Sequence, residues 1–354
     1  LWGVVALRGW ALSGEAATAG ALHLFLSHLS LVGVSAMIPA AVCPRRFGRT
    51  VILLIALLSG TVLYPIVGNW LWGGGWLASV GLSLGLGHGL VDFGGASVIF
   101  LTGSIVAFTA LFLFKSTPAE QDDQTKPAEV VVITGLEHQL TVYDEPEDTA
   151  AEILPAPPMP AAYLPILSML GGGLLLLGWF GLATGIQSPT ALNFNSAHAA
   201  VAGVLAALSA ALAAAGYSWF TTSELNPLMI SRGLVAGLIV AMAGAPFLPI
   251  WLIVAAGLLM GFLLPPLIYL FNQDLRFADE LGTLATYGVS AMVSLLLVPF
   301  FADGRAGQGW NGVGSYAYLG VAGQGVSGLV VAPGFVADWP GQLQAQLLGI
   351  GAVI

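Results

Sequence analysis

The side chains best suited to proton chemistry in this sequence are its five histidines, two of which lie in apolar surroundings. His28 and His198 fall inside long uncharged runs, His23 and His88 lie nearer the ends of such runs, and His138 lies in a polar segment. Imidazole exchanges a proton near neutral pH and offers both a donor and an acceptor of hydrogen bonds. We therefore expect His28 and His198 to be either hydrogen-bonded packing groups or members of a proton relay.

Two aspartates at the start of apolar runs form a second group of interest. Asp92 is followed eight residues later by Phe100, and Asp279 is followed at the same interval by Tyr287. An acid that starts a membrane segment is costly unless it is paired, so Asp92 is expected to have a functional or architectural role. For Asp279 and Glu280, capping of a helix N-terminus is the simpler interpretation, and a functional role stays open.

Several other chemistries are disfavoured by the residue content. Cys43 is the single cysteine, so an internal disulfide is excluded and no thiol pair is present for a metal or redox site. The sequence has no nucleophile elbow, phosphate-binding loop, HExxH pair or carboxylate couple, so we expect no enzyme, no cofactor and no metal site. The net charge of −9 is accompanied by no basic patch, which disfavours nucleic acid as a partner.

The elements that carry these residues are apolar segments long enough to span a lipid bilayer. The chain of 354 residues is 57% hydrophobic and only 8% charged, which lies outside the range of soluble proteins. A helical crossing needs about 20 apolar residues, and barrel strands would alternate apolar with polar residues, which these runs do not do. We predict an all-α integral membrane protein in which glycines inside the spans allow close helix packing. The predicted spans are residues 1–12 in part, 17–42, 51–71, 91–114, 162–184, 195–220, 229–245, 248–271, 281–302 and 315 onward.

The basic residues predict the orientation of these spans. Threading the spans alternately leaves only Arg8 and Arg305 on one side. Cytoplasmic loops near membrane segments retain positive charge, so the opposite side is predicted to be cytoplasmic. The basic residues on that side are Arg45, Arg46, Arg49, Lys115, Lys126, Arg232 and Arg276.

A polar segment at residues 116–160 divides the chain into membrane halves at 1–115 and 161–354. Ten of the eighteen acidic residues lie between Glu120 and Glu152. Val130 to Thr134 and Gln139 to Tyr143 are β-rich and could pair as a small hairpin. We expect the segment to lie in the cytoplasm, either as a solvated acidic linker or as a docking surface for a cytoplasmic or membrane partner.

One segment carries a family resemblance. Tyr64 to Phe100, YPIVGNWLWGGGWLASVGLSLGLGHGLVDFGGASVIF, resembles the signature of the ammonium transporters of the Amt/Mep/Rh superfamily, where a Trp-Gly-Gly-Gly element leads to an Asp-aromatic-Ala-Gly-Gly motif. GWFG at Gly178 to Gly181, the span from Pro227 to Pro246 and DWPGQLQAQLLGI at Asp338 to Ile350 find counterparts in the same order.

The resemblance implies a bundle of about eleven transmembrane helices, built from two inverted five-helix repeats. Aligned with that fold, the chain is expected to begin within the second helix and to stop within the last one. The family's outside N-terminus agrees with the orientation derived from charge. The resemblance also implies a homotrimer with one pore in each copy, in a bacterial or archaeal cytoplasmic membrane.

By the same resemblance, three residues match an external recruitment site for the cation. They are Trp72, Phe25 and Asp92, and in the family the tryptophan contributes a cation–π contact. An interfacial aromatic anchor is the alternative role for Trp72. Leu29 and Gly203 fall at the two positions where the family has gate phenylalanines.

The centre of the implied pore departs from the family pattern. The family's twin pore histidines correspond to Phe100 and Tyr287, and Asp279 is the acid of the second repeat. The standard proton relay is therefore missing, and His28 and His198 are the candidates for a relocated relay. Two functions remain open at this point. The first is a channel or transporter for ammonium, ammonia or another small solute through a non-standard pore. The second is a non-conducting structural, interaction or sensory subunit of a larger membrane complex.

Overall fold

The structure, a computed structural model, describes residues 19–42, 48–113, 163–185, 195–277 and 279–354, with side chains from His28 onward in the first helix and up to Thr184 in the third range. Cys43, the acidic segment 116–160 and its expected hairpin lie outside the described residues. The side chains of His23 and Phe25 also lie outside them.

The described chain is almost entirely helical, apart from one pair of two-residue antiparallel strands and connecting loops. The α-helices are Ala19–Val42 (α1), Arg49–Leu58 (α2), Tyr64–Leu71 (α3), Trp76–Leu84 (α4), Thr102–Leu113 (α5), Leu164–Gly185 (α6), Ser196–Thr222 (α7), Pro227–Met242 (α8), Ile250–Tyr269 (α9), Ser290–Phe301 (α10) and Gly341–Val353 (α11). The strands are Ala317–Tyr318 (β1) and Val321–Ala322 (β2), and Trp310–Gly312 is a short 3₁₀ turn.

Six helical runs in the described residues are long and apolar enough to cross a bilayer. Large apolar side chains project from their outer faces, as at Leu212 and Trp251, which are 70% and 69% exposed. An exposed apolar surface of this kind marks contact with a membrane or a partner. The prediction of an all-α membrane protein is confirmed. The six runs are Arg49–Leu84, Ala96–Leu113, Leu164–Thr184, Ser196–Thr222, Ile250–Asp274 and Leu284–Phe301, and two shorter apolar helices are His28–Val42 and Pro227–Met242.

Four π-helical turns interrupt or begin these runs. Two of them, Ala96–Leu101 and Leu284–Val289, open α5 and α10. The other two, Ser59–Leu63 and Leu270–Asp274, follow α2 and α9. Such turns in helices are frequent at functional sites. The first two contain the aromatic residues predicted for the pore centre.

Small residues bring α7, α8 and α9 into close contact. A Cβ placed on Gly237 would collide with the carbonyl oxygen of Ala206, and one placed on Gly261 would collide with the carbonyl oxygen of Ala210. Backbones can approach this closely only where no side chain intervenes. These contacts agree with a packing role at Gly237 and Gly261, whereas a Cβ on Gly171 or Gly173 would meet no atom within 4 Å.

The prediction of a span from residue 315 onward is wrong for its first part. Residues 302–340 form loops around the short strands, and the last helix begins only at Gly341. The prediction from hydropathy failed because many glycines here have positive φ, a backbone conformation that ends helices. They are Gly304, Gly307, Gly309, Gly312, Gly314, Gly320, Gly323 and Gly334.

Candidate functional site

Asp92 anchors the start of the π-turn Ala96–Leu101. Its side chain is fully buried, and its two oxygens accept hydrogen bonds from the backbone N–H groups of Gly95, Ala96 and Ser97 at 2.9, 2.8 and 2.6 Å. The Ser97 hydroxyl donates a fourth bond, at 2.6 Å. A carboxylate at a helix N-terminus is stabilised by these donors and by the helix dipole. The geometry gives Asp92 an architectural role.

Two glutamines of α11 hold the loop that leads into Asp92. The Gln342 side chain accepts from His88 N–H at 2.9 Å and donates to Gly89 O at 3.0 Å. One turn later, Gln346 accepts from Val91 N–H and donates to Val91 O, both at 2.9 Å. Both glutamines are fully buried. We call this pair the glutamine clamp. Its side-chain amides bond to backbone N–H and C=O groups of the loop, as a neighbouring strand would.

His88, in the same loop, packs against the ring of Tyr318. The centroids of the two rings are 4.4 Å apart, and the Tyr318 hydroxyl donates to the Asp338 carboxylate at 2.9 Å. The imidazole is fully buried, and neither ring nitrogen has a hydrogen-bond partner among the described residues. Burial lowers the pKa of His88 to about 4, because the charged form would lose its hydration. His88 is therefore neutral at physiological pH.

Asp279 repeats the role of Asp92 in the second half. Its carboxylate accepts from the N–H groups of Thr283 and Leu284 at 2.9 and 2.7 Å, which is the geometry of a helix cap. The Asn272 side chain brackets its backbone, accepting from Asp279 N–H at 2.9 Å and donating to Asp279 O at 3.0 Å. Arg232 of α8 donates to the backbone oxygen of the next residue, Glu280, at 2.9 Å.

The two eight-residue intervals end at one place. The rings of Phe100 and Tyr287 stack with centroids 6.0 Å apart and planes inclined by 11°. Phe100 is only 3% exposed. We call this pair the ring stack. Offset stacking at this distance is favourable, so the two halves of the bundle meet through a packed apolar contact.

Buried hydroxyls adjoin the ring stack. Ser104 lies one helical turn after Phe100, and its Cβ is 3.1 Å from where a Cβ would stand on Gly288. The hydroxyls of Ser104 and Thr286 are buried without a hydrogen-bond partner among the described residues. Unpaired buried hydroxyls are costly, and a bound water or small polar solute would satisfy them.

The residues matched to the recruitment site meet through the backbone. Trp72 Nε1 donates to the carbonyl oxygen of Asp92 at 3.2 Å, so its N–H is bonded to the loop backbone and not to the carboxylate. The His28 ring lies 5.9 Å from the Trp72 ring, and His28 Nδ1 is 2.8 Å from the Tyr64 hydroxyl. The structure thus adds His28 and Tyr64 beside Trp72.

The two expected gate positions lack an aromatic ring of their own. Leu29 is 53% exposed, and its neighbour His28 is the side chain that packs against Trp72. At Gly203, any Cβ would overlap the indole of Trp179, a fully buried residue of α6 that donates to Ala200 O at 3.1 Å. The aromatic volume at this position therefore comes from a neighbouring helix.

His198 is engaged in helix packing. Its Nε2 lies 3.0 Å from the carbonyl oxygen of Leu248, and its backbone N–H donates to Asn195 Oδ1 at 3.0 Å. Of the two relay candidates, the structure brings only His28 to the aromatic cluster at Trp72. Among the described residues, no group of three or more histidine, cysteine or acidic side chains could hold a metal ion.

Sequence reasoning missed the glutamine clamp and the contact of Trp179 with Gly203. Two glutamines four residues apart in an apolar helix are a usable signal, because buried amides need partners. The contact of Trp179 with Gly203 could not be predicted, since nothing in the sequence indicates that these residues of two different helices are close.

Comparisons with known proteins identify a family. The model of the Ammonium Transporter Family matches residues 1–134 and 161–354. Ammonium transporter Amt2 of Archaeoglobus fulgidus is 27% identical over 307 residues, covering 86% of this chain and 59% of that protein. Ammonium transporter Amt1 of Haloferax mediterranei is 25% identical over 279 residues, covering 76% of this chain and 48% of that protein. The chain thus spans about half to three-fifths of the length of these relatives.

Solved structures show the same fold. A protein described as Sensor Amt Protein superposes with a TM-score of 0.61 at 21% identity, covering 97% of this chain and 70% of that one. Mep2 of Candida albicans superposes with a TM-score of 0.60 at 20% identity, covering 91% of this chain and 58% of that one.

Proposed function

Because this chain belongs to the ammonium transporter family, we propose that it passes ammonia or another small uncharged solute across a membrane through a pore with a non-standard centre. The observation that carries the proposal is the ring stack of Phe100 and Tyr287, which joins the two halves of the chain. Its matched capping acids, Asp92 and Asp279, support the assignment of the stack to the middle of the path.

The ring stack favours an uncharged solute. A bare cation at the bilayer centre costs from a few to more than ten kcal/mol, so ammonium must be solvated there or lose its proton first. Phenylalanine exchanges no proton, and a tyrosine hydroxyl with an ordinary pKa near 10 exchanges one slowly at neutral pH. Ammonia, being neutral, avoids this cost.

The proposal places recruitment of the cation at Trp72 with Asp92 as its support, and it includes Phe25 by its match to the family. The indole face is the group that would attract ammonium, and the bond from Trp72 Nε1 to Asp92 O holds that face in position. Trp179, packed against Gly203, takes the place of a gate phenylalanine. Leu29, half-exposed, has no assigned part.

The arrangement in the membrane follows the family pattern. We place the chain in a bacterial or archaeal cytoplasmic membrane as a homotrimer with one pore per copy. The loop 116–160 is then cytoplasmic and available to a partner there. The membrane halves are 1–115 and 161–354.

Uptake into proteoliposomes tests the proposal. Radiolabelled methylamine should enter vesicles that contain the protein faster than empty vesicles, and Phe100→Trp, which enlarges one ring of the stack, should slow this uptake at least tenfold. A matched control is Phe112→Trp, at a position 59% exposed on the outer face of α5. Equal uptake by protein-containing and empty vesicles would contradict transport.

A second candidate function is supported by the same stack. Phe100 is almost completely buried against Tyr287, so the centre could be a permanent plug in a structural, interaction or sensory subunit. That function predicts no uptake by the wild type and stoichiometric co-purification of a foreign membrane or cytoplasmic partner. A free homotrimer that takes up methylamine would remove it.

A further inference from the structure

Three aromatic side chains from two neighbouring segments converge beside the proposed recruitment position. His28 of α1 bonds through Nδ1 to the Tyr64 hydroxyl at 2.8 Å, and its ring lies 5.9 Å from Trp72. Tyr64 is fully buried, whereas His28 is partly exposed. Trp72 is also partly exposed, so a solute can reach both the imidazole and the indole.

The two neighbours of His28 are fixed in place. The Trp72 N–H is committed to Asp92 O, so the indole offers its ring face. A cation bound within about 6 Å of an aromatic centroid gains a cation–π contact. Since the His28 ring centre is 5.9 Å from that same centroid, a cation on this side of Trp72 also meets the imidazole.

The bond to Tyr64 suits a histidine that gains and loses a proton. A tyrosine oxygen can accept from Nδ1–H in both the neutral and the charged imidazole, because each form can carry that hydrogen. This tautomer leaves the lone pair on Nε2, and no described residue bonds to Nε2. A proton can thus be added at Nε2 without breaking the bond to Tyr64.

We propose that His28, held by Tyr64, accepts the proton of an ammonium ion bound beside Trp72, and that ammonia then proceeds toward the ring stack. This inference rests on the proposed function. One N–H bond of ammonium breaks, its electron pair stays on nitrogen, and the proton bonds to Nε2 to give an imidazolium. The proton then returns to the solution from which the ammonium came, so no net charge crosses.

The surroundings of His28 allow this exchange. Among the described residues, Tyr64 is the titratable side chain in contact with it, and no carboxylate or cation pairs with it. Trp72 does not titrate. His198, by contrast, bonds through Nε2 to Leu248 O and makes no ring contact with Trp72 in the described part of the chain. It provides a matched control.

The test measures uptake of ammonia and ammonium together into proteoliposomes. The concentration of free ammonia is held constant while the pH is varied. Lowering the pH by one unit then raises the ammonium concentration about tenfold, since ammonia and ammonium are in acid–base equilibrium. Wild-type uptake should rise several-fold with ammonium. His28→Gln, which keeps a polar partner for Tyr64 but cannot take a proton at neutral pH, should give a rate that follows free ammonia alone. His198→Gln should follow the wild type.

Tyr64→Phe separates the roles of the pair. It keeps the imidazole and removes its anchor, so uptake should still respond to ammonium but less steeply than in the wild type. If His28→Gln responds to ammonium as the wild type does, the inference is wrong while transport stands.

A binding measurement decides the inference even if the wild type takes up nothing, in which case the proposed function itself has failed. In protein labelled with ¹⁵N-histidine, ammonium chloride should shift the Nε2 resonance that is missing in His28→Gln, and sodium chloride should not. An unchanged Nε2 resonance would overturn the inference.

Discussion

Asp92 and Asp279 each stand eight residues before one ring of the stack, yet their loops are held by different means. Asp92 accepts four hydrogen bonds, and the loop before it is held by the glutamine clamp from α11. Asp279 accepts two backbone N–H bonds in the described residues, and Asn272, seven residues earlier, bonds to both its backbone N–H and its backbone oxygen.

The difference lies in how far along the sequence each support comes from. The glutamine clamp joins residues about 255 positions apart, whereas Asn272 and Asp279 are local neighbours. The support in the first half therefore needs α11 in place, whereas the support in the second half comes from a local contact. Both routes lead to an aromatic ring of the same stack, although the supporting contacts differ between the two halves.

The largest effect is expected from removing the first anchor. Asp92→Ala would leave the N–H groups of Gly95, Ala96 and Ser97 buried without an acceptor, so we expect the free energy of unfolding in detergent to fall by about 3–5 kcal/mol. Asp92→Asn, which keeps one acceptor oxygen, should lose less. Chemical unfolding of the three proteins gives the comparison, and a stable Asp92→Ala protein would show that the anchor contributes little.

The glutamine clamp should come next. Gln346→Leu removes both bonds to Val91 and a third to Leu295 O, so we expect a loss of about 2–4 kcal/mol. Gln344→Leu changes an exposed glutamine of the same helix and should have little effect. If the two variants unfold alike, the clamp does not hold the Asp92 loop.

Acid should weaken the first half through His88. The pKa of His88 in the folded protein, about 4, lies below the ordinary 6.5. The free energy of unfolding is therefore highest above pH 6.5, where His88 is neutral in both states, and it falls as the pH is lowered toward 4. The loss is on the order of 2–3 kcal/mol. Burial raises the pKa of Asp338, whose protonation offsets part of this loss. Thermal unfolding from pH 7 to pH 4 should show the decline in the wild type.

His88→Phe is the control for this acid effect. It keeps a ring against Tyr318 without a titrating group, so its curve should be flatter over the same range. Parallel curves for the variant and the wild type would exclude His88 as the cause. Residues 270–284 contain no histidine, so the loop of Asp279 should lack this sensitivity.

The smallest effect is expected in the second half. Asn272→Leu removes the bracket around Asp279 at a partly exposed site, so we expect a loss of about 1–2 kcal/mol. Gln273→Leu, at the exposed neighbouring position, should be close to neutral. A loss larger than that of Gln346→Leu would reverse the comparison of the two halves.

Much of the fold could be predicted because membrane-spanning helices are long apolar runs that the sequence shows directly. The runs that contain α1, α5, α7 and α10 follow from the need to satisfy every backbone group inside lipid. The loops of residues 302–340 could not be found this way, since their apolar composition resembles that of a span. Glycine backbone conformation, not hydropathy, decides their structure.

The site was only partly predictable. The family resemblance, together with the equal intervals from Asp92 to Phe100 and from Asp279 to Tyr287, predicted that these two rings correspond, and the structure adds that they stack. The rotation of α1 about its axis was not predictable, because adjacent residues of a helix point in different directions. That rotation brings His28 to Trp72 and leaves Leu29 half-exposed.

The most direct test of the central claim is the current that an ammonium pulse evokes from proteoliposomes on a solid-supported membrane. With the ring stack intact, the account predicts methylamine uptake without a protein-dependent current. The double variant Phe100→His with Tyr287→His, which supplies two imidazoles at the centre, should gain such a current. A wild-type current as large as that of the double variant would contradict the claim that charge is excluded at the ring stack.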